Sequence, residues 1–90
     1  MYRLVASGGI RCAVEDINPR GRSTVVMVHG WPLGRELFEW QMNVLPSYGI
    51  RCISIDLRGF GDSDKPFGDY SYNTLADDLY CLLRRLELTT

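Results

Sequence analysis

Apolar residues recur along this chain in two different periods, and each change of period marks an element. Val25, Val26, Met27 and Val28 form an uninterrupted apolar run that stops at His29-Gly30-Trp31-Pro32. A short β-branched run ended by Gly and Pro predicts a parallel strand covered on both faces, with a loop at its carboxyl end. Upstream, Tyr2 to Ala6 and Ile10 to Asp16 are β-prone runs joined by Ser7-Gly8-Gly9, the turn chemistry of an antiparallel hairpin. In the second run Ile10, Cys12 and Val14 alternate with Arg11, Ala13 and Glu15, which predicts one buried and one wet face. Asn18-Pro19-Arg20-Gly21-Arg22 reads as an exposed loop carrying two solvated arginines.

Beyond Pro32 the period changes. A helix is predicted from about Arg35 to Leu45, with Leu37, Phe38, Met42 and Leu45 inward and Glu36, Glu39 and Asn43 outward. Pro46 disturbs its last turn and Gly49 ends it. Ile50 to Asp56 is the next strand, followed by a long loop, Leu57 to Pro66, expected to cross the carboxyl edge of the sheet. Leu75, Leu79, Leu82, Leu83 and Leu86 then recur at helical spacing, which reads as core packing. Asn73 or Thr74 is placed to cap that helix, Asp77 and Asp78 sit early, and Arg84 and Arg85 sit late. The order β-β-β-α-β-α predicts an α/β fold, antiparallel at its start and parallel afterwards.

Composition narrows the partners. At 90 residues the chain is one small domain or a piece of a larger one. With 46% hydrophobic and 23% charged residues it reads as an ordinary globular protein. Ten Lys and Arg against eleven Asp and Glu leave no electrostatic footprint for nucleic acid or an anionic membrane surface. Cys12, Cys52 and Cys81 are far apart, with no metal-binding spacing, so no metal site is expected and the thiols read as reduced residues of a cytoplasmic protein. No stretch has the layout of a signal peptide or the length of a membrane span.

In an open α/β sheet, ligands bind beyond the carboxyl ends of the strands. Here those ends are His29-Gly30-Trp31-Pro32 and Asp56-Leu57-Arg58-Gly59-Phe60-Gly61. A phosphate cradle needs small side chains and free N–H donors, whereas this turn carries bulky Trp31 and Pro32, which has no N–H. Neither G-x-G-x-x-G nor G-x-x-x-x-G-K-[ST] occurs. An oxyanion hole needs only one or two rigidly held backbone donors. Gly30 frees the turn, Pro32 stiffens it, and the Trp31 N–H is the candidate donor. Trp31 and Phe60 either wall an acyl pocket or simply pack. Asp56 and Arg58 are expected to form a structural ion pair or loop hydrogen bonds.

These residues carry a resemblance. Val25 to Leu88 resembles the α/β-hydrolase fold superfamily, most closely its non-haem haloperoxidase and esterase-like branch. The matching pieces are His29-Gly30-Trp31-Pro32, Phe38 to Gln41, Tyr48-Gly49-Ile50-Arg51, Asp56 to Pro66, and the helix entry from Tyr72 to Leu79. The resemblance implies a partial α/β-hydrolase sheet, with an N-terminal antiparallel hairpin followed by parallel strands and two helices. It implies that the Trp31 N–H donates to the oxyanion of an ester-like substrate, and that no cofactor is needed. Pro32 after the Trp is associated with peracid formation. Epoxide hydrolases and haloalkane dehalogenases carry related segments.

In this fold the general base follows the nucleophile late in the chain, so His29, the only histidine, is expected to steady its loop together with Gly30. Ser63 lies in Gly61-Asp62-Ser63-Asp64-Lys65, which lacks the second glycine of G-x-S-x-G, so it is not the elbow nucleophile. Residues 1–90 are therefore expected to be the N-terminal part of a single α/β-hydrolase domain, truncated before the nucleophile elbow and inactive alone. Val25 to Val28 would then be an exposed edge open to self-association.

Overall fold

The computed structural model describes residues 2–30, 34–68 and 70–88. Strands β1 (Tyr2–Val5), β2 (Arg11–Ile17), β3 (Ser23–Val28) and β4 (Ile50–Ile55) make one sheet in the order β1-β2-β4-β3. β1 and β2 are antiparallel with Tyr2 opposite Val14, and β2 meets β4 antiparallel with Val14 opposite Ile55. β3 runs parallel to β4 with Val25 opposite Cys52 and Val28 opposite Ile55. Helix α1 (Glu39–Val44) lies between β3 and β4, and α2 (Tyr72–Arg85) follows the long loop after β4. The expected α/β sheet, antiparallel hairpin first and parallel pair after, is the one observed.

Alternation along β4 divides the core. Ile53 and Ile55 join Cys12, Val14 and Leu82 of α2 on one face, with Val26 and Leu79 packed against them. Cys52 joins Met27 and Met42 of α1 on the other, with Phe38 and Leu45 alongside. Both faces of β4 are therefore covered by helix, which accounts for its continuous apolar run, whereas β3, expected to be covered on both faces, lies at the sheet edge and keeps Val25 and Val28 exposed. Burial pushes the Cys12 thiol up to about 11 and raises that of Cys52, so both are kept as neutral packing groups.

Several local expectations change. Ala13 belongs to the face expected to be wet, yet it is fully buried. The loop after β4 lies against the first half of β2, where Ala13 N–H donates to the buried Ser63 Oγ at 2.8 Å. Asp64 N–H donates to the Arg11 carbonyl at 2.9 Å, and Arg11 N–H donates to Asp64 Oδ2 at 2.9 Å. The first helix is three pieces: a 3-10 turn over Arg35–Phe38, α1, and a 3-10 turn over Leu45–Tyr48 that contains Pro46 and ends at Gly49. Three residues per turn instead of 3.6 rotates Leu37 into solvent, where it is 51% exposed. The cap of α2 is Ser71, whose Oγ accepts from Thr74 N–H at 3.2 Å, and not Asn73 or Thr74.

Asp16 on β2 and Arg51 on β4 form a two-point pair, Nε to Oδ1 at 2.9 Å and Nη2 to Oδ2 at 2.6 Å. The guanidinium holds the Asp16 carboxyl below the usual carboxylate range. A depressed folded value stabilises the fold above the unfolded pKa of ~3.9, and that contribution disappears as pH falls through the folded value. Asp16→Asn is expected to lower stability by roughly 1 kcal/mol at pH 7. The gap from the parent should close below pH ~4 in paired thermal melts.

Candidate active site

The carboxyl ends of β3 and β4 bring together the two loops singled out in the sequence. His29 follows β3 and is buried, 4% exposed. Leu57 N–H, just past β4, donates to His29 Nε2 at 3.0 Å. With Nε2 accepting, the ring proton belongs on Nδ1, which donates to the Gly30 carbonyl at 2.9 Å. Phe60 meets the imidazole edge-on, with ring centroids 5.2 Å apart. Trp31 and Pro32 lie outside the described residues.

Asp56 and Arg58 do not pair with each other. The chain turns between them and Phe60, whose N–H donates to the Leu57 carbonyl at 3.0 Å, so their side chains reach different helical segments. Asp56 Oδ1 accepts Arg35 N–H at 2.6 Å, its Oδ2 accepts Asp62 N–H at 3.0 Å, and the Arg35 guanidinium closes on Oδ2. Gly61, at φ +53°, passes directly over this carboxylate, and a Cβ there would run into it. Arg58 instead forms a fork with Asp78 of α2, Nε to Oδ2 at 2.5 Å and Nη2 to Oδ1 at 2.7 Å, with both side chains buried. One ion pair anchors the loop toward α1 and the other anchors it to α2.

Ser63 is 3% exposed. Its hydroxyl donates to the Asp56 carbonyl at 2.5 Å and accepts Ala13 N–H at 2.8 Å, spanning from β2 to the end of β4. Both its hydrogen-bonding directions are occupied by backbone, so it supplies structure and no nucleophile. Ser63→Ala leaves the buried Ala13 N–H unpaired and is expected to cost about 1–3 kcal/mol in thermal or urea unfolding.

Beside His29 a cavity of about 690 Å³ opens between the end of β3, the loop after β4 and the first turns of α2. Val28, Leu57, Phe60, Leu75 and Leu79 give it an apolar wall, with Tyr70 and Tyr72 also lining it. Leu75 and Leu79, expected only as core packing, thus serve the cavity as well. In the sequence Tyr72 stands out only as the start of the resembling helix entry, and Tyr70 carries no periodic signal. Tyr70 is held in place by its hydroxyl, which donates to the Pro66 carbonyl at 2.6 Å. Among the described residues no cluster of three or more His, Cys, Asp or Glu side chains is placed to hold a metal ion.

Known proteins share this fold. The chain is 49% identical over 75 residues to the AB hydrolase superfamily protein YisY of Bacillus subtilis, covering 83% of this chain and 27% of that protein. It is 36% identical over 88 residues to the non-heme chloroperoxidase of Streptomyces lividans, covering 98% of this chain and 32% of that one. The solved structure of an esterase from Exiguobacterium antarcticum superposes with a TM-score of 0.89 at 41% identity, covering 97% of this chain and 32% of the esterase. The chain thus spans about a third or less of the length of these relatives. The family model for the alpha/beta hydrolase fold matches residues 23–90, and with these likenesses it establishes that the chain belongs to the alpha/beta hydrolase family.

Proposed function

We propose that this chain is the N-terminal part of a single α/β-hydrolase domain whose complete form cleaves small carboxylic esters through a serine acyl-enzyme, with perhydrolysis from the same intermediate. The observation that carries this reading is the His29–Leu57 hydrogen bond, which closes the two carboxyl-end loops against each other beside an apolar cavity. In the proposed reaction a serine Oγ from the remainder of the domain attacks the ester carbonyl. The carbonyl oxygen gains the charge, the alcohol leaves with a proton, and water or hydrogen peroxide releases the acid or peracid. The Trp31 N–H stabilises that charge, and losing one such donor typically costs ~10²–10³ in rate. Pro32 sets the backbone that favours peroxide, His29 and Gly30 position the loop, and Trp31 and Phe60 wall the acyl group. Buried neutral thiols at Cys12 and Cys52 fit a cytoplasmic setting.

The test is to read the gene past Thr90 and to assay the 90-residue chain on a chromogenic ester. A following strand with G-x-S-x-G, and no turnover by the isolated chain, support the proposal. Asp at the nucleophile position makes the chain part of an epoxide hydrolase or haloalkane dehalogenase instead. A stop codon supports a second reading, a non-catalytic module that pairs with itself. That reading draws on β3, which among the described strands borders only β4 and leaves Val25 and Val28 36% and 38% exposed. A monodisperse monomer by sedimentation would argue against self-pairing.

A further inference from the structure

His29 is the side chain through which the loop after β3 holds the loop after β4, and its role as acceptor depends on a proton. Nε2 receives the Leu57 N–H only while it carries no hydrogen of its own. A second proton on the ring would set donor against donor across that 3.0 Å gap. Among the described residues the surroundings supply no substitute. Phe60 presents an aromatic ring. The Asp56 carboxylate is occupied by Arg35 and Asp62 N–H, and the Arg58 guanidinium is forked onto Asp78. From the α2 side the cavity brings the tyrosines Tyr70 and Tyr72 with Leu75, Ala76 and Leu79. Among the described residues no carboxylate forms an ion pair with the imidazole.

We propose that His29 is a proton-operated latch. In its neutral Nδ1–H form it joins the end of β3 to the loop after β4, and protonation releases Leu57 N–H from that joint. The consequence is that the end of β3 and the loop after β4 are joined at Leu57 only while one imidazole is neutral. This inference concerns the loops themselves and stands apart from the ester-hydrolysis reading, because neither of its readouts involves a reaction.

A single histidine makes the test direct. The 90-residue chain, labelled with ¹⁵N at histidine, reports the ring tautomer and its protonation by two-bond proton–nitrogen correlation. Exchange of the Leu57 amide, corrected for its intrinsic pH dependence, reports the latch. Neutral solution should show the Nδ1–H tautomer. On acidification Leu57 protection should fall by roughly tenfold, the worth of one hydrogen bond, in the same transition that protonates His29. In His29→Gln, whose side-chain oxygen can accept without titrating, Leu57 protection should stay level across that range. An Nε2–H tautomer in neutral solution, as an unfolded chain also gives, overturns the proposal. So does Leu57 protection that ignores the His29 transition, or that falls at the same pH in His29→Gln.

Discussion

Asp78→Ala is expected to lower the unfolding free energy by about 3–5 kcal/mol, read as a displaced midpoint in urea. Arg58 is 7% exposed and Asp78 is fully buried. Two charges removed from water are tolerable only while their fork is intact, and deleting the carboxylate leaves a buried guanidinium, which also donates to the Ser7 carbonyl at 3.3 Å, without the Asp78 fork that offsets its charge. That amount is a large share of the stability of a chain of this size. The companion variant separates pairing from packing. Arg58→Met combined with Asp78→Leu removes both charges and keeps apolar volume, so it should recover most of the loss. If the double variant is as unstable as the single, the ion pair is not what the single variant destroyed.

Asp56→Ala is the second large effect, also expected at about 3–5 kcal/mol in urea unfolding. Its carboxylate takes two backbone N–H groups, from Arg35 and Asp62, as well as the Arg35 side chain. Removal orphans those donors and frees Arg35 to its weaker contacts, Asp62 at 3.1 Å and Glu15 at 3.7 Å. Asp56→Asn keeps an oxygen for one N–H and should lose less than the alanine variant. Because Asp56 lies next to Leu57, amide exchange at Asp62 and Leu57 should rise in Asp56→Ala before the rest of the sheet responds. Equal loosening at β1 would instead mark a global effect.

The strands and the Leu-bearing helix were legible because burial on two faces writes itself into the period of apolar residues. Val25 to Val28 and Ile50 to Ile55 could be read off directly. The partners of Asp56 and Arg58 could not. Arg35 precedes Asp56 by 21 residues and Asp78 follows Arg58 by 20, and ten basic and eleven acidic residues leave many pairings that only the closed fold selects. The helix cap was missed for a related reason: Ser71, Asn73 and Thr74 have similar capping chemistry, and the backbone angle at Ser71 decides among them. The cavity arises from β3, the β4 loop and α2 meeting, so no single segment could announce it.

The sheet order has a consequence for how the chain folds. β2 and β3 are separated by only five residues, yet they never pair, because β4, which the chain reaches much later, inserts between them. A local β2–β3 hairpin is thus the fast, wrong product that this topology must outcompete. The connecting loop is built to disfavour it. The Asn18 side chain donates to the carbonyls of Pro46 and Ile50, and Arg22 N–H donates to the Gly49 carbonyl at 2.8 Å. Gly21 lies so close to the backbone of Ile50 and Arg51 that any side chain there would collide with it. These contacts exist only once the start of β4 has arrived, so a premature hairpin forfeits them and stays reversible.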